Sequence, residues 1–282
     1  MKWPDWTGLG TRTYEQSAGE VVQPSKTAWD WLQLLIVPAV LAGAVTIYNQ
    51  AQTDKADQRQ ADQAAESRKQ AAAANQDTIF QSYLSQMSAL MVTKKLLGSR
   101  PNSPVTDVGR VLTFGFMSAM DGKRKGEVVR FLFRARLLGN PLRNTGRRPG
   151  APLINLAAAD LRGANLAGAD IEDANLTGAD LTGADLTGAN LQTTVLDGAT
   201  LEHANLSNSI LNAHAVLKGA DLIHANLTGA SVVGADLRGA YLTSANLTGA
   251  DLTGSNLSGA HLTGATFDKT TCPDGHVTST HC

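Results

Sequence analysis

The sequence predicts a mainly β protein, in which a coiled rod follows an α-helical region with one transmembrane helix. Three observations lead to this prediction. Residues 154–269 repeat with a period of five, residues 31–48 carry no charge, and the charges before and within the repeats have opposite signs.

The repeat reads ADLRG ANLAG ADIED from residue 159, with a small first residue and an apolar third residue in each five. Twelve fives fill 154–213, His214 is extra, and eleven fives fill 215–269, which gives 23. A period of five fits neither a helix face nor an alternating strand, so each five is expected to form one side of a square coil. Such a rod has 5–6 coils at about 4.8 Å spacing, with leucine stacked inside and alanine in the narrower positions.

The A(D/N)LxG signature of these fives resembles that of the pentapeptide-repeat family. The resemblance covers about 40% of the 282 residues and implies a right-handed quadrilateral β-helix. Some members of that family mimic DNA and protect topoisomerases, while most have no known activity. The segment MDGKRKGEVVRFLFRARLLG also resembles linker helices between a membrane anchor and such repeats in some actinobacterial proteins.

The N-terminal 48 residues predict a disordered polar tail over 1–28 and a transmembrane helix over 29–48. Tryptophan and tyrosine mark the two ends of the uncharged stretch, as an aromatic belt would. A cleaved signal peptide and a buried soluble helix are the alternatives; the long, partly acidic tail argues against the first. Basic residues close to the span are nearly balanced and accumulate beyond it, which favours a single-pass cell-membrane protein with cytoplasmic repeats.

Between the span and the repeats, residues 49–98 predict a helical stalk followed by an amphipathic helix. A loosely paired coiled coil is the alternative for the alanine-rich part. Residues 99–153 predict a basic helical hairpin and linker, with its first helix after Pro101 and Pro104 and its second ending near Gly139. Because the first edge of a stacked coil has unpaired backbone groups, this hairpin is expected to cover it.

The net charge is +8 over residues 1–153 and −8 over residues 154–269. The basic unit is expected to contact anionic lipid headgroups, with nucleic-acid backbone as a less favoured candidate and a solvated face without contacts as the alternative. The candidate lipid or phosphate patch consists of Lys123, Arg124, Lys125, Arg130, Arg134, Arg136, Arg147 and Arg148.

On a four-sided coil, residues twenty apart stack on one face, and the step becomes 21 across His214. This predicts a surface salt bridge between Asp197 and Lys218. It also gathers a candidate partner face from His203, His224, Tyr241 and His261. The first two are expected to stack at about 5 Å, but no third or fourth ligand aligns with them, so no metal site is expected.

The C-terminal tail, 270–282, contains the two cysteines, Cys272 and Cys282. They form either a disulfide, which suggests an oxidising compartment, or two free thiols. Pro273 is expected to make the tail turn away from the ladder.

No nucleophile, base and orienting group converge in the sequence pattern, so neither an enzyme nor a cofactor site is expected. The prediction is a membrane-anchored scaffold that binds an unidentified protein on its β-helix faces. The alternative is an acidic DNA mimic that inhibits or protects a topoisomerase-like enzyme.

Overall fold

The computed structural model describes residues 28–138, 152–212 and 215–282. The chain forms two compact units, residues 1–71 and 72–282. The predicted N-terminal tail up to residue 27, the linker over 139–151 and His214 lie outside the described residues.

The first unit contains the N-terminal part of helix α1, which runs from Ala28 to Thr93. The large apolar side chains between Leu35 and Tyr48 are exposed; Leu35 is 68% and Ile47 72% accessible. Among the described residues, α1 is the one helix whose length and composition suit a membrane crossing, a test that a signal sequence also passes.

The second unit begins with a helical layer built from the end of α1, α2 (Pro104–Ala119) and α3 (Gly122–Arg134), with a short 3-10 helix at Leu96–Gly98. Tyr83 of α1 is fully buried, and its ring meets Phe116 of α2 and Phe131 of α3 edge-on, at centroid distances of 5.7 and 6.2 Å. Burial raises the pKa of Tyr83, whose hydroxyl lies 3.3 Å from the Thr113 hydroxyl. The predicted apolar stripe of α1 is therefore packed on neighbouring helices.

Two predicted boundaries of the helical hairpin were wrong. Helix α1 ends at Thr93, and Pro104 is the first residue of α2, where the missing N–H costs nothing. Helix α3 begins at Gly122, directly after its N-cap Asp121, whose carboxylate accepts from the Arg124 N–H at 2.8 Å. It ends at Arg134 rather than near Gly139.

From residue 154 the chain forms a right-handed β-helix. Within one five, Ala159 stands at position 1, Asp160 at position 2, Leu161 at position 3, Arg162 at position 4 and Gly163 at position 5. The position-3 N–H donates to the position-2 carbonyl one coil further on, as Leu161 does to Asp180 at 2.8 Å. Parallel bridges join residues twenty apart, and the step becomes 21 where a coil passes residues 213–214.

The repeated residue types follow from this geometry. Leucines at position 3 and alanines at position 1 fill the interior; Leu181 and Ala179 are fully buried. The Asp180 carboxylate accepts from the Thr182 N–H at 3.0 Å and from its hydroxyl at 2.6 Å, which closes a local turn. Position 5 requires a positive φ, which glycine adopts without steric cost.

Helix α3 lies directly against the first coil and takes the place of a preceding one. Asn165 stands at position 2 of the first coil, where no earlier coil can supply an acceptor for its N–H. The Gly122 carbonyl of α3 accepts from this N–H instead, at 2.8 Å. The Leu137 carbonyl accepts from the Ile154 N–H, also at 2.8 Å. An added Cβ at Gly122 or Gly126 would lie 1.8 Å from the carbonyl oxygen of Gly163 or Asn165, so only glycine allows this contact.

At the other end, the chain after residue 269 continues the ladder, contrary to the prediction that Pro273 makes it turn away. Thr271 bridges Asp251, and the Pro273 carbonyl accepts from the Gly254 N–H at 2.8 Å. Pro273 stands at position 4, which contributes only its carbonyl to the ladder between coils, so the missing N–H is not needed there. Strands β1 (Thr270–Thr271) and β2 (Val277–Thr278) then form a short antiparallel hairpin.

We predict that Gly126→Ala lowers the free energy of unfolding by about 1–3 kcal/mol, because a rigid backbone carbonyl occupies the space of the new methyl group. Urea unfolding of the purified protein measures this. The matched control is Gly115→Ala in α2, where nothing lies within 4 Å of the added Cβ. The control should gain about 0.5–1 kcal/mol. Equal behaviour of the two variants would contradict the close packing of α3 on the coil.

Candidate functional site

One side of the β-helix carries the predicted partner residues. We call it the histidine face; it consists of the fives that begin at 159, 179, 199, 220, 240 and 260. Its position-2 residues follow one another through parallel bridges, which include Thr200 to Asp221, Asp221 to Tyr241 and Tyr241 to His261. Every residue of this face is therefore fixed in register by the main-chain ladder.

His203 and His224 occupy position 5 in neighbouring coils, where most fives have glycine. Both adopt φ of 57°, the left-handed conformation that this corner requires. Their rings stack with centroids 4.9 Å apart and an interplanar angle of 6°. His203 Nε2 lies 3.5 Å from a carboxylate oxygen of Glu202, and its side chain is 60% exposed. The pair therefore forms a stacked imidazole ridge at one border of the face.

Tyr241 and His261 form a second stacked pair, at position 2. Their ring centroids are 4.7 Å apart and their planes differ by 7°. Tyr241 is 44% exposed, which is unusual for a large ring in this domain. The two pairs share one face but lie at opposite ends of their fives, so they border the face rather than form one continuous stack.

The four ring residues are not arranged as a metal site. Among residues 28–138, 152–212 and 215–282, no group of three or more His, Cys, Asp or Glu side chains could hold a metal ion. The face is a surface held in register by the main-chain ladder, with exposed ring side chains at positions 2 and 5.

The predicted side-chain salt bridge between Asp197 and Lys218 was wrong. Lys218 follows Val216, which cannot supply the carboxylate that normally accepts the position-4 N–H. The Asp197 carboxylate from the preceding coil accepts that N–H instead, at 3.1 Å. The Lys218 ammonium lies 3.5 Å from Asp236, which also binds Arg238 at 2.7 Å. Hydrogen bonding from Arg238 lowers the pKa of Asp236 to about 2.

Three residues of the predicted lipid or phosphate patch point into the protein, which corrects that prediction. Arg124 and Lys125 are buried, at 8% and 5% exposure. Arg124 pairs with Asp77 of α1 and with Glu127. The half-buried Arg130 donates to the Ala167 carbonyl at 3.0 Å. Lys123, Arg134 and Arg136 are exposed, whereas Arg147 and Arg148 lie outside the described residues.

Two of these inward cations supply donors to carbonyl groups of the first coil. Elsewhere, a position-4 carbonyl accepts from the coil before it, as Thr182 does from Gly163. The first coil has no predecessor, so the carbonyls of Arg162 and Ala167 accept from Lys125 at 3.3 Å and from Arg130. Basic residues of α3 thus replace backbone donors, which is why α3 is rich in them on its inner side.

Asp160 is the centre of this cap. Its carboxylate accepts from Lys125 Nζ at 2.8 Å and pairs with Arg162 at 2.9 Å. The Arg162 guanidinium, then Lys125, hold the pKa of Asp160 well below its usual range. Sequence reasoning missed this residue, because an aspartate at position 2 looks the same in every five. The signal that could have found it is the Gly122–Gly126 spacing, which marks the face of α3 that approaches the coil.

Cys272 and Cys282 are joined by a disulfide, with Cα atoms 5.3 Å apart. Of the two alternatives that the sequence left open, the structure contains the paired form. Cys272 directly follows β1 and is buried, at 1% exposure.

Comparison with known proteins places the repeats in a family. The model described as "Pentapeptide repeats", with 8 copies, matches residues 154–192, 174–212, 213–243 and 245–272. Among curated protein sequences, none matches this chain significantly.

Several solved structures of pentapeptide repeat proteins are similar to the chain. HetL, involved in heterocyst differentiation regulation in the cyanobacterium Nostoc sp. strain PCC 7120, is 36% identical, with 44% of this chain and 62% of HetL covered and a TM-score of 0.20. Rfr23 from the cyanobacterium Cyanothece 51142 is 39% identical over 34% of this chain and 58% of Rfr23, at 0.17. QnrB1, a plasmid-mediated fluoroquinolone resistance protein, is 22% identical over 41% and 69%, at 0.25. The chain covers less than two thirds of either cyanobacterial protein.

We predict that Asp160→Asn costs about 1.5–3 kcal/mol of stability at pH 7, because it removes a charge-assisted contact with a buried ammonium. The folded pKa of Asp160 is lowered, so its contribution is complete above the unfolded value near 3.9 and is lost as the pH falls through the folded pKa. The difference from wild type should therefore shrink below about pH 4. Urea unfolding at pH 7 and pH 3 measures it.

The matched control is Asp185→Asn, at the same position of the next coil on the adjacent side. Its carboxylate accepts from the Thr187 N–H and hydroxyl, as asparagine does at Asn175. In the part of the chain that the structure describes, no ion pair includes Asp185. A loss at Asp185 as large as that at Asp160, or one that does not vary with pH, would contradict the assignment.

Proposed function

We propose, from the pentapeptide-repeat domain that residues 154–272 form, that this protein is a membrane-anchored, non-catalytic scaffold that binds a protein partner. The observation that carries the proposal is the histidine face, with exposed ring side chains on a surface held rigid by the ladder. A rigid surface loses little conformational freedom on binding.

The composition of the histidine face favours a protein partner. Aromatic side chains are enriched in the buried centres of protein interfaces. Tyr241 and the stacked His203 and His224 expose ring edges in an otherwise small and polar domain surface. The proposed contact residues are His203, His224, Tyr241 and His261.

The proposal of membrane anchoring rests on the apolar part of α1. Eight large apolar or aromatic side chains between Leu35 and Tyr48 are exposed. Contiguous apolar surface of this kind is characteristic of membrane or protein contact sites. A single span over residues 29–48 gives these side chains a hydrocarbon environment.

The second candidate, an acidic DNA mimic, has weaker support. It rests on the net charge of −8 over residues 154–269. Two of the carboxylates that contribute to this charge are neutralised by cations of the same chain. Asp160 pairs with Lys125 and Arg162, and Asp236 pairs with Lys218 and Arg238. Within the described residues, contact with anionic lipid likewise rests on the outward cations Lys123, Arg134 and Arg136.

We predict that a benzophenone amino acid in place of Tyr241 cross-links the full-length protein to a specific partner in cells. The matched control has the same amino acid in place of Thr253, an exposed position-4 residue on the side opposite the histidine face. Ultraviolet irradiation and a shift in electrophoretic mobility measure the adduct. An adduct that forms equally from both positions, or from Thr253 alone, would reject the histidine face as the contact surface.

We predict no effect of the detergent-solubilised full-length protein on DNA supercoiling by a type II topoisomerase at micromolar concentration. An anion that mimics DNA would instead inhibit, and the inhibition would weaken steeply with salt, because it depends on charge. Salt-sensitive inhibition would therefore favour the second candidate over the scaffold.

A further inference from the structure

We infer that the repeat domain lies on the oxidising side of the membrane and that its partner is a protein exposed on that side. The inference rests on the membrane anchoring proposed above and adds an orientation to it. It reverses the cytoplasmic orientation that the basic residues favoured.

The first observation is the use of cysteine. The 282 residues contain 2 cysteines, both in the last eleven residues, and both are consumed in one disulfide. Disulfides persist in oxidising compartments such as the bacterial periplasm and are rare in the cytosol, where thiol systems keep cysteines reduced. In a cytosolic domain these two cysteines would remain reduced and the bridge would be absent.

The second observation is what the disulfide holds in place. The C-terminal hairpin provides the Thr271 and Pro273 carbonyls that accept from Leu252 and Gly254, both at 2.8 Å. Strands β1 and β2 pair over only two residues each, and a two-stranded hairpin of that length is not stable by itself. β1 is held in the ladder, since Thr271 N–H donates to Ala250 at 2.9 Å. The links of the segment after Pro273 are fewer: Cys272 N–H donates to the His276 carbonyl at 2.8 Å, Lys269 N–H donates to the Ser279 hydroxyl at 3.3 Å, and that hydroxyl donates to Asp268 at 3.1 Å.

The disulfide therefore joins the outer strand of the hairpin to a residue that is fixed in the domain. Cys272 is buried next to the last ladder contacts, and Cys282 follows β2. With two thiols, residues 277–282 would be held on the end of the β-helix only by the two-residue pairing of β2 with β1 and a few hydrogen bonds. The position of the last residues therefore depends on oxidation, which links the structure of the domain to the compartment in which it folds.

The third observation is that the charge balance around the span offers little resistance to this orientation. Arg12 and Lys26 precede the uncharged stretch, and Lys55, Arg59, Arg68 and Lys69 follow it. Orientation depends on the difference in Lys and Arg between the two flanks, which is here two residues. The more distant cations of α3 are partly neutralised, since Arg124 and Lys125 are paired with carboxylates.

This orientation favours the protein-binding scaffold over the DNA mimic. A domain on the oxidising side is separated from the chromosome by the bilayer, so it has no access to a topoisomerase. The histidine face would instead contact a partner outside the cytoplasm.

The test uses the full-length protein in spheroplasts of a bacterial host and a membrane-impermeant polyethylene glycol maleimide. A carboxylated phosphine, which crosses membranes poorly, reduces the disulfide to two thiols. The phosphine becomes the phosphine oxide, and water supplies its oxygen and the two thiol protons. Each thiol then adds across the maleimide double bond, and the mass of the protein increases by one polymer per cysteine.

The expected result is no shift without phosphine and a two-polymer shift after phosphine treatment of intact spheroplasts. A shift that requires lysis, with or without phosphine, would overturn the inference. Labelling of intact spheroplasts without phosphine would overturn the oxidised state. The Cys272→Ser/Cys282→Ser variant, which has no cysteine, is the negative control and should show no shift. In that background, Ser17→Cys should react only after lysis, because it lies on the other side of the span.

Alkaline carbonate extraction of the same membranes separates this inference from the anchoring. Retention in the membrane pellet with labelling of intact spheroplasts supports both. Retention without labelling of intact spheroplasts rejects the orientation and keeps the anchor. Release into the soluble fraction outside the cytoplasm, with a phosphine-dependent shift, rejects the anchor and supports the oxidising location.

Discussion

The hydrogen bonds between successive coils determine most of what is unusual in this protein. In each coil, the N–H groups at positions 3 and 5 donate to carbonyls of the following coil. The carbonyl at position 1 accepts from the position-2 N–H of that following coil. No coil can satisfy these groups by itself, so a stack of any length has two unsatisfied ends. A backbone group that is buried in apolar surroundings without a hydrogen-bond partner costs on the order of several kcal/mol, as does the transfer of an amide from water to an apolar medium. The design of the chain outside the repeats reflects this requirement.

The two ends are closed by different chemistry. At the first coil, the backbone of α3 approaches so closely that Gly122 accepts directly from Asn165, while Lys125 and Arg130 reach the free carbonyls. At the last coil, Thr271 and Pro273 supply acceptors to Leu252 and Gly254, and the disulfide holds the tail that follows them. The first solution depends on shape and charge, and the second depends on a covalent bond. Acid should therefore weaken one end of the domain, and reductant the other.

The sequence was sufficient to predict the β-helix, because a strict five-residue pattern permits few other ways of burying leucine and alanine. The stacking of His203 on His224 was predicted from the same twenty-residue step, and that step also placed Tyr241 and His261 on their face; that these two stack is a finding of the structure. The role of the four residues in binding stays a prediction. The direction in which Arg124 and Lys125 point could not be predicted, because it depends on how α3 docks. The role of Asp197 was missed for a related reason. Its partner is the Lys218 N–H, which is left without its usual carboxylate acceptor because position 2 of that five is Val216.

The tolerance of Pro273 at position 4 has a meaning for how such a domain diversifies. In the residues that the structure describes, no position-4 N–H donates to the main chain of another coil. Positions 1 and 3 are constrained by the interior and position 5 by its φ. Position 4 combines an outward side chain with an amide that the ladder between coils does not use. Substitutions can therefore accumulate at position 4 without loss of the fold. The surface of the domain can change one position at a time while the backbone stays the same.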